Sequence, residues 1–203
     1  MAEASSSSEP VDHSTEAIAA LWGESDELRD KYIELIEQSP GNYNSHVLFV
    51  LATVLLCAKQ RPFEQAAYYM YLGQLRGFYD VYRSKDQTTS GDLYTLFAEI
   101  CGPVLFQLHQ KEVSISMLET LFKKVFEMDE IIPHNYDPCW MNAFGLSAMH
   151  AAIGGKTFNK QDMCIPVEQW ENMAKKAREF FRGISNQIIK GVRERKEAAA
   201  KDA

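Results

Sequence analysis

The chain has 203 residues, a formal net charge of −7, and 46% hydrophobic against 24% charged side chains. These values suit one globular domain with a sizeable core, and they exclude a wholly disordered chain. The acidic balance argues against general affinity for nucleic acid. The charge is uneven, since residues 1–40 hold ten acidic and two basic side chains whereas residues 175–203 hold four acidic and nine basic ones.

The N-terminal part of the chain divides into a leader and two amphipathic segments. Residues 1–13 are rich in serine and acid, so we expect a flexible leader. Helical periodicity begins at Ser14 and, after Gly23, resumes at Ser25 until Pro40 ends it. The acidic helices within 15–38 are candidates for electrostatic contact with a basic partner.

The most informative stretch is a pair of helical segments joined by a short connection. Residues 45–60 are almost uncharged and predict a buried helix, and residues 62–83 predict an aromatic helix packed against it as a hairpin. The aromatic helix also carries polar side chains that cannot all be buried without partners. Because tyrosine and arginine are enriched in binding hot spots, this face is a candidate partner-binding surface. Its residues are Tyr69, Gln74, Arg76, Asp80 and Arg83.

The remaining helices follow in order toward the C-terminus. A helix starts near Thr89 and is expected to kink or break at Gly102-Pro103, and another starts at a capping box formed by Ser116 and Glu119. The last helix starts at Pro166, and residues 193–203 are expected to form a frayed charged tail. The sequence therefore predicts an all-α protein: one compact domain of about seven helices over residues 14–192.

An acidic group lies in the third quarter of the chain. Glu127, Asp129 and Glu130 lie at a predicted helix C-terminus, where negative charge is unfavourable unless a partner compensates it. A solvated turn is the simpler interpretation. The alternative is one half of an interface, to which Tyr136 in the following loop would contribute an anchor.

The loop from His134 to Cys139 combines an imidazole, a carboxylate and a thiol, as a cysteine nucleophile requires. Helix capping by Asp137 explains these residues better, so the sequence favours a protein that is not an enzyme. His134, Asp137, Cys139 and His150 have no spacing typical of metal ligands, and no cofactor is expected.

The spacing of the cysteines indicates the cellular compartment of the protein. Cys57, Cys101, Cys139 and Cys164 are widely spaced and lie in or beside apolar segments, which is typical of free buried thiols. No secretory signal and no membrane span is recognisable, so we expect a cytoplasmic protein without a membrane partner.

The segment from Phe63 to Arg76, with Gly73-Gln74-Leu75-Arg76 at its end, resembles helical hairpins of small bacterial proteins of the toxin-immunity type. The resemblance implies a non-catalytic, cytosolic protein that binds and neutralises one cognate toxin domain. It transfers no site residues. A helical adaptor or chaperone of a larger assembly is the first alternative, and an enzyme using the His134–Cys139 loop is the second. The oligomeric state stays open.

Overall fold

A computed structural model describes residues 13–58, 60–110 and 113–201 of the chain. Across these ranges the fold is all-α, with eight α-helices and short 3₁₀ turns between them, which confirms the predicted class and the single compact domain. The predicted leader lies outside the described residues except for His13. The helices are α1 (Ser14–Trp22), α2 (Asp26–Gln38), α3 (Ser45–Cys57), α4 (Phe63–Arg83), α5 (Thr89–Gln110), α6 (Ile115–Ile131), α7 (Leu146–Ile153) and α8 (Trp170–Lys201).

The predicted hairpin forms the centre of the domain. α3 is apolar on nearly all sides and packs along α4, and α5 covers the pair. Gly73 permits this close approach, because a Cβ atom at that position would lie 2.8 Å from ring carbons of Phe49. On the other side of α4, the rings of Tyr71, Phe122 and Phe181 lie 4.8–6.2 Å apart and join α4 to α6 and α8.

Three helices differ from the sequence prediction. α5 continues through Pro103 without a break. The preceding residue is Gly102, whose missing Cβ removes part of the clash that a proline ring normally makes with a helical neighbour. α6 begins two residues earlier than predicted, since the Ser114 hydroxyl and not that of Ser116 caps it, accepting a hydrogen bond from the Met117 amide at 3.0 Å. α8 begins at Trp170, after a 3₁₀ turn, and not at Pro166; it continues through residues 193–201, all of them exposed.

Within the described ranges, none of the helices combines the length and the apolar character that a membrane span needs.

The close contact at Gly73 predicts an overpacking defect. Gly73→Ala should lower the free energy of unfolding by about 1–3 kcal/mol, because the new methyl group meets the Phe49 ring inside a packed core. Gly183→Ala is the matched control: nothing lies within 4 Å of its added Cβ, so the better helix propensity of alanine should raise the stability by about 0.5–1 kcal/mol. Urea titration measures both. Equal effects at the two positions would contradict the packing described here.

Candidate functional site

The polar face of α4 points into the protein. Arg76, Asp80 and Arg83 are buried almost completely, and so are Asp129 and Tyr136. The prediction that these five side chains form a partner-binding surface is therefore wrong. Buried polar side chains need hydrogen-bond or charge partners, and here the partners come from the same chain.

Asp80 is the centre of the first half of this buried network. Its Oδ1 accepts a hydrogen bond from the Tyr136 hydroxyl at 2.9 Å, and its Oδ2 accepts one from Trp140 Nε1 at 2.8 Å. Arg83 forms an ion pair with the same carboxylate. The guanidinium carbon of Arg83 also lies 3.7 Å from the centre of the Tyr79 ring, a cation–π contact. Asp80 thereby holds the loop after α6 against α4.

Asp129 is the centre of the second half. Its Oδ1 lies 3.1 Å from His134 Nε2 and 3.7 Å from Arg76 Nε. Its Oδ2 accepts a hydrogen bond from Arg178 Nε at 2.9 Å. Burial by itself raises the pKa of Asp129, but the His134 hydrogen bond and the charges of Arg76 and Arg178 outweigh it, so the pKa lies below its ordinary value. Arg76 also donates to the Pro40 carbonyl at 2.7 Å.

His134 connects the two halves. Its ring packs against Tyr79 at 4.8 Å and against Tyr136 at 5.9 Å between ring centres. Burial lowers the pKa of His134, which favours the neutral ring. The network thus ties α4 to α6, to α8 and to the loop that follows α6. It acts as internal structure.

The cysteines differ from their predicted state. Cys139 and Cys164 form a disulfide, so the expectation of four free thiols is wrong. Cys101 is free and buried, and Cys57 is free and exposed. A cysteine nucleophile at position 139 would first require reduction of this bond. The expectation that Asp137 caps a helix is wrong, since the 3₁₀ turn that follows begins at Trp140 with Cys139 before it; Asp137 Oδ1 instead accepts a hydrogen bond from the Cys139 amide at 2.9 Å in an Asx turn.

The other predicted site residues are divided between interior and surface. Tyr69 is buried with its ring centre 4.9 Å from that of Tyr68, so its assignment to a binding surface is also wrong. Gln74 is half-buried. Glu127 and Glu130 are exposed, and Glu127 lies 3.7 Å from Lys123. Of the nine predicted binding residues, only these two glutamates offer fully exposed side chains.

A better candidate surface lies on α1 and α2. Its acidic side chains are exposed, while the nearby Arg29 is engaged by the Leu21 carbonyl at 3.1 Å and by Asp26 at 2.6 Å. Trp22 is 56% exposed and lines a groove of about 370 Å³ that continues to Asp30 and the end of α3. Exposed tryptophan is enriched in binding hot spots, and exposed carboxylates attract a basic partner. The exposed acids are Glu16, Glu24, Asp26, Glu27, Asp30 and Glu34.

Sequence analysis did not anticipate how α7 is attached. The Ser147 amide donates to Asp86 Oδ2 at 2.8 Å, and the Leu146 amide donates to the Thr88 hydroxyl at 2.9 Å. Burial tends to raise the pKa of Asp86, but hydrogen bonds from Thr88 and Ser147 hold it far below its ordinary value. Gly145 makes room for this cap, since a Cβ there would lie 2.6 Å from Asp86 Oδ2.

Among residues 13–58, 60–110 and 113–201, no group of three or more histidine, cysteine or carboxylate side chains is arranged to hold a metal ion. No protein-family model, curated protein or solved structure matches this chain.

The buried network predicts a sharp contrast between neighbouring acids. Asp129→Asn should lower the free energy of unfolding by about 3–5 kcal/mol, because it leaves Arg76 buried without its counter-charge. Glu130→Gln, one residue away and exposed, should change it by less than about 0.5 kcal/mol. Chemical denaturation followed by circular dichroism measures both. A mild effect of Asp129→Asn would show that the network contributes little.

The Asp86 cap predicts a pH dependence. The folded pKa of Asp86 lies below the unfolded value of about 3.9, so its contribution is present above that pH and is lost as the pH falls through the folded pKa. Asp86→Asn should cost about 1–2 kcal/mol at pH 7, and the difference from wild type should shrink below about pH 4. Thermal unfolding from pH 7 to pH 2 measures this. Asp162→Asn, at an exposed position, should follow the wild-type profile.

Proposed function

We propose that this chain is a non-catalytic protein-binding domain that acts as an immunity protein, binding and neutralising a cognate toxin domain. The observation that carries the proposal is the exposed acidic surface of α1 and α2 with Trp22 at its edge. The helical hairpin and its resemblance to toxin-immunity proteins support it further.

The chemistry of the acidic surface fits a basic partner. A toxin that acts on nucleic acid or another phosphate substrate needs cationic side chains in its cleft. Carboxylates such as Glu27, Asp30 and Glu34 can occupy that cleft in place of the phosphates and accelerate association through long-range attraction. Trp22 then supplies the desolvated contact that charge alone does not provide.

A helical adaptor or chaperone is the second candidate function, and one observation favours it. α5, α6 and α8 border a groove of about 360 Å³ lined mainly by apolar side chains, including Leu105, Leu108, Ile184 and Ile188. A groove of this kind can accept apolar segments of several different partners. A single stoichiometric partner favours immunity, and a range of weakly bound partners favours the adaptor.

Charge reversal on the acidic surface tests the proposal. The partner is first captured with the wild-type chain from cells that carry the gene, and the purified pair is then studied by surface plasmon resonance. Reversal to lysine at Glu24, Glu27, Asp30 and Glu34 should slow association at least tenfold at low salt and reduce its salt dependence. Asp26 is left unchanged because it pairs with Arg29.

The control reverses four exposed acids elsewhere, so that the net charge of both variants is equal: Glu119, Glu168, Glu179 and Glu197. This control should keep most of the wild-type association rate. The toxin function of the partner is tested separately by expressing its toxic domain with each variant. Growth should be rescued by wild type and control, and rescue by a chain that no longer binds would overturn the proposal.

A further inference from the structure

α7 is an apolar helix that the protein leaves uncovered. It contains no buried residue. Leu146, Met149 and Ile153 are 46%, 48% and 78% exposed, and Phe144 just before the helix is exposed as well. Residues 138–155 contain no aspartate, glutamate, lysine or arginine. His150 is also exposed. Contiguous exposed apolar side chains commonly mark an interaction site.

The attachment of α7 is polar and rigid. Asp86 and Thr88 cap its N-terminus, and the Cys139–Cys164 disulfide joins the two ends of the segment that contains α7. Asn142 Nδ2 additionally donates to the Lys160 carbonyl at 2.9 Å between those ends. The helix is thus fixed in place without using its apolar side chains. A binding element that is already ordered loses less conformational entropy when it binds.

We propose that α7 inserts as a helix into an uncharged, apolar groove on a protein partner. Leu146, Met149 and Ile153 stand at positions i, i+3 and i+7, the anchor spacing of helices that bind in grooves. Because α7 carries no charge, the groove that receives it needs none. This inference rests on the proposed function of a protein-binding domain and adds an apolar contact that holds the partner.

Two other occupants fit α7 less well. A helix of this length is about 12 Å long, so two copies side by side would cover far less than the roughly 800 Å² per partner of a stable interface. A groove encloses the helix on several sides and uses its surface more fully. Helices that lie on membranes carry lysine or arginine on their polar face. α7 has neither, and the net charge of −7 opposes contact with anionic lipid.

Site-specific photo-crosslinking in cells that carry the gene tests the proposal. The probe is benzoylphenylalanine, placed in the full chain at Ile153 or, as a matched control, at Ile131, which is 72% exposed on α6. We expect one dominant adduct with a different protein at position 153 and none at position 131, with the crosslink mapping to an apolar segment of the partner. A dimer of the chain, a lipid adduct, or no adduct above the control would each overturn the proposal.

A second pair of variants separates binding from folding. With the probe at Met149, Ile153→Asp should reduce the adduct at least tenfold, and Ile131→Asp should leave it unchanged. Both chains should keep the wild-type melting temperature, since both positions are exposed. An adduct with a protein that has no toxic activity supports the α7 site and overturns the immunity function. A toxin bound through the acidic surface without an adduct at position 153 overturns the α7 site alone.

Discussion

Two buried carboxylates, Asp80 and Asp129, determine how the second half of the chain meets the first. An ion removed from water costs several kcal/mol unless donors surround it, so each carboxylate has to gather them from several elements. Asp80 accepts hydrogen bonds from Tyr136 and Trp140 in the loop after α6, and Asp129 accepts one from Arg178 in α8. The apolar core provides most of the driving force for collapse, whereas these bonds fix where the loop and α8 come to rest on α4.

Periodicity predicted the hairpin of α3 and α4 because helix formation and burial of an uncharged segment are local properties. The same periodicity placed Arg76 and Asp80 on one face of α4, but it could not assign that face to the interior. Asp129 and Tyr136, which pair with these two side chains, lie about fifty residues or more further along the chain, and sequence periodicity does not show such tertiary contacts. Glu127 and Asp129 show this limit of sequence prediction, since they belong to one acidic group but Glu127 is exposed and Asp129 is buried.

α7 shows the opposite case, an apolar helix without a buried residue. Apolar composition predicts burial, yet this helix is held by hydrogen bonds and a disulfide whose partners are distant in sequence. Local rules often fail at functional positions, which agrees with the binding role proposed for α7.

The two proposed surfaces also differ in the interaction by which each would bind a partner. The acidic face of α1 and α2 acts over a distance and responds to salt, while α7 acts only on contact and depends on shape.

The buried network also limits how this protein can change over evolutionary time. Replacing any one of Asp80, Arg83 or Tyr136 removes a hydrogen-bond or charge partner from a side chain that stays buried. Each single substitution therefore gives a poorly folded protein. The exposed acids and α7 carry no such penalty. The exposed side chains can therefore change rapidly over an almost fixed interior.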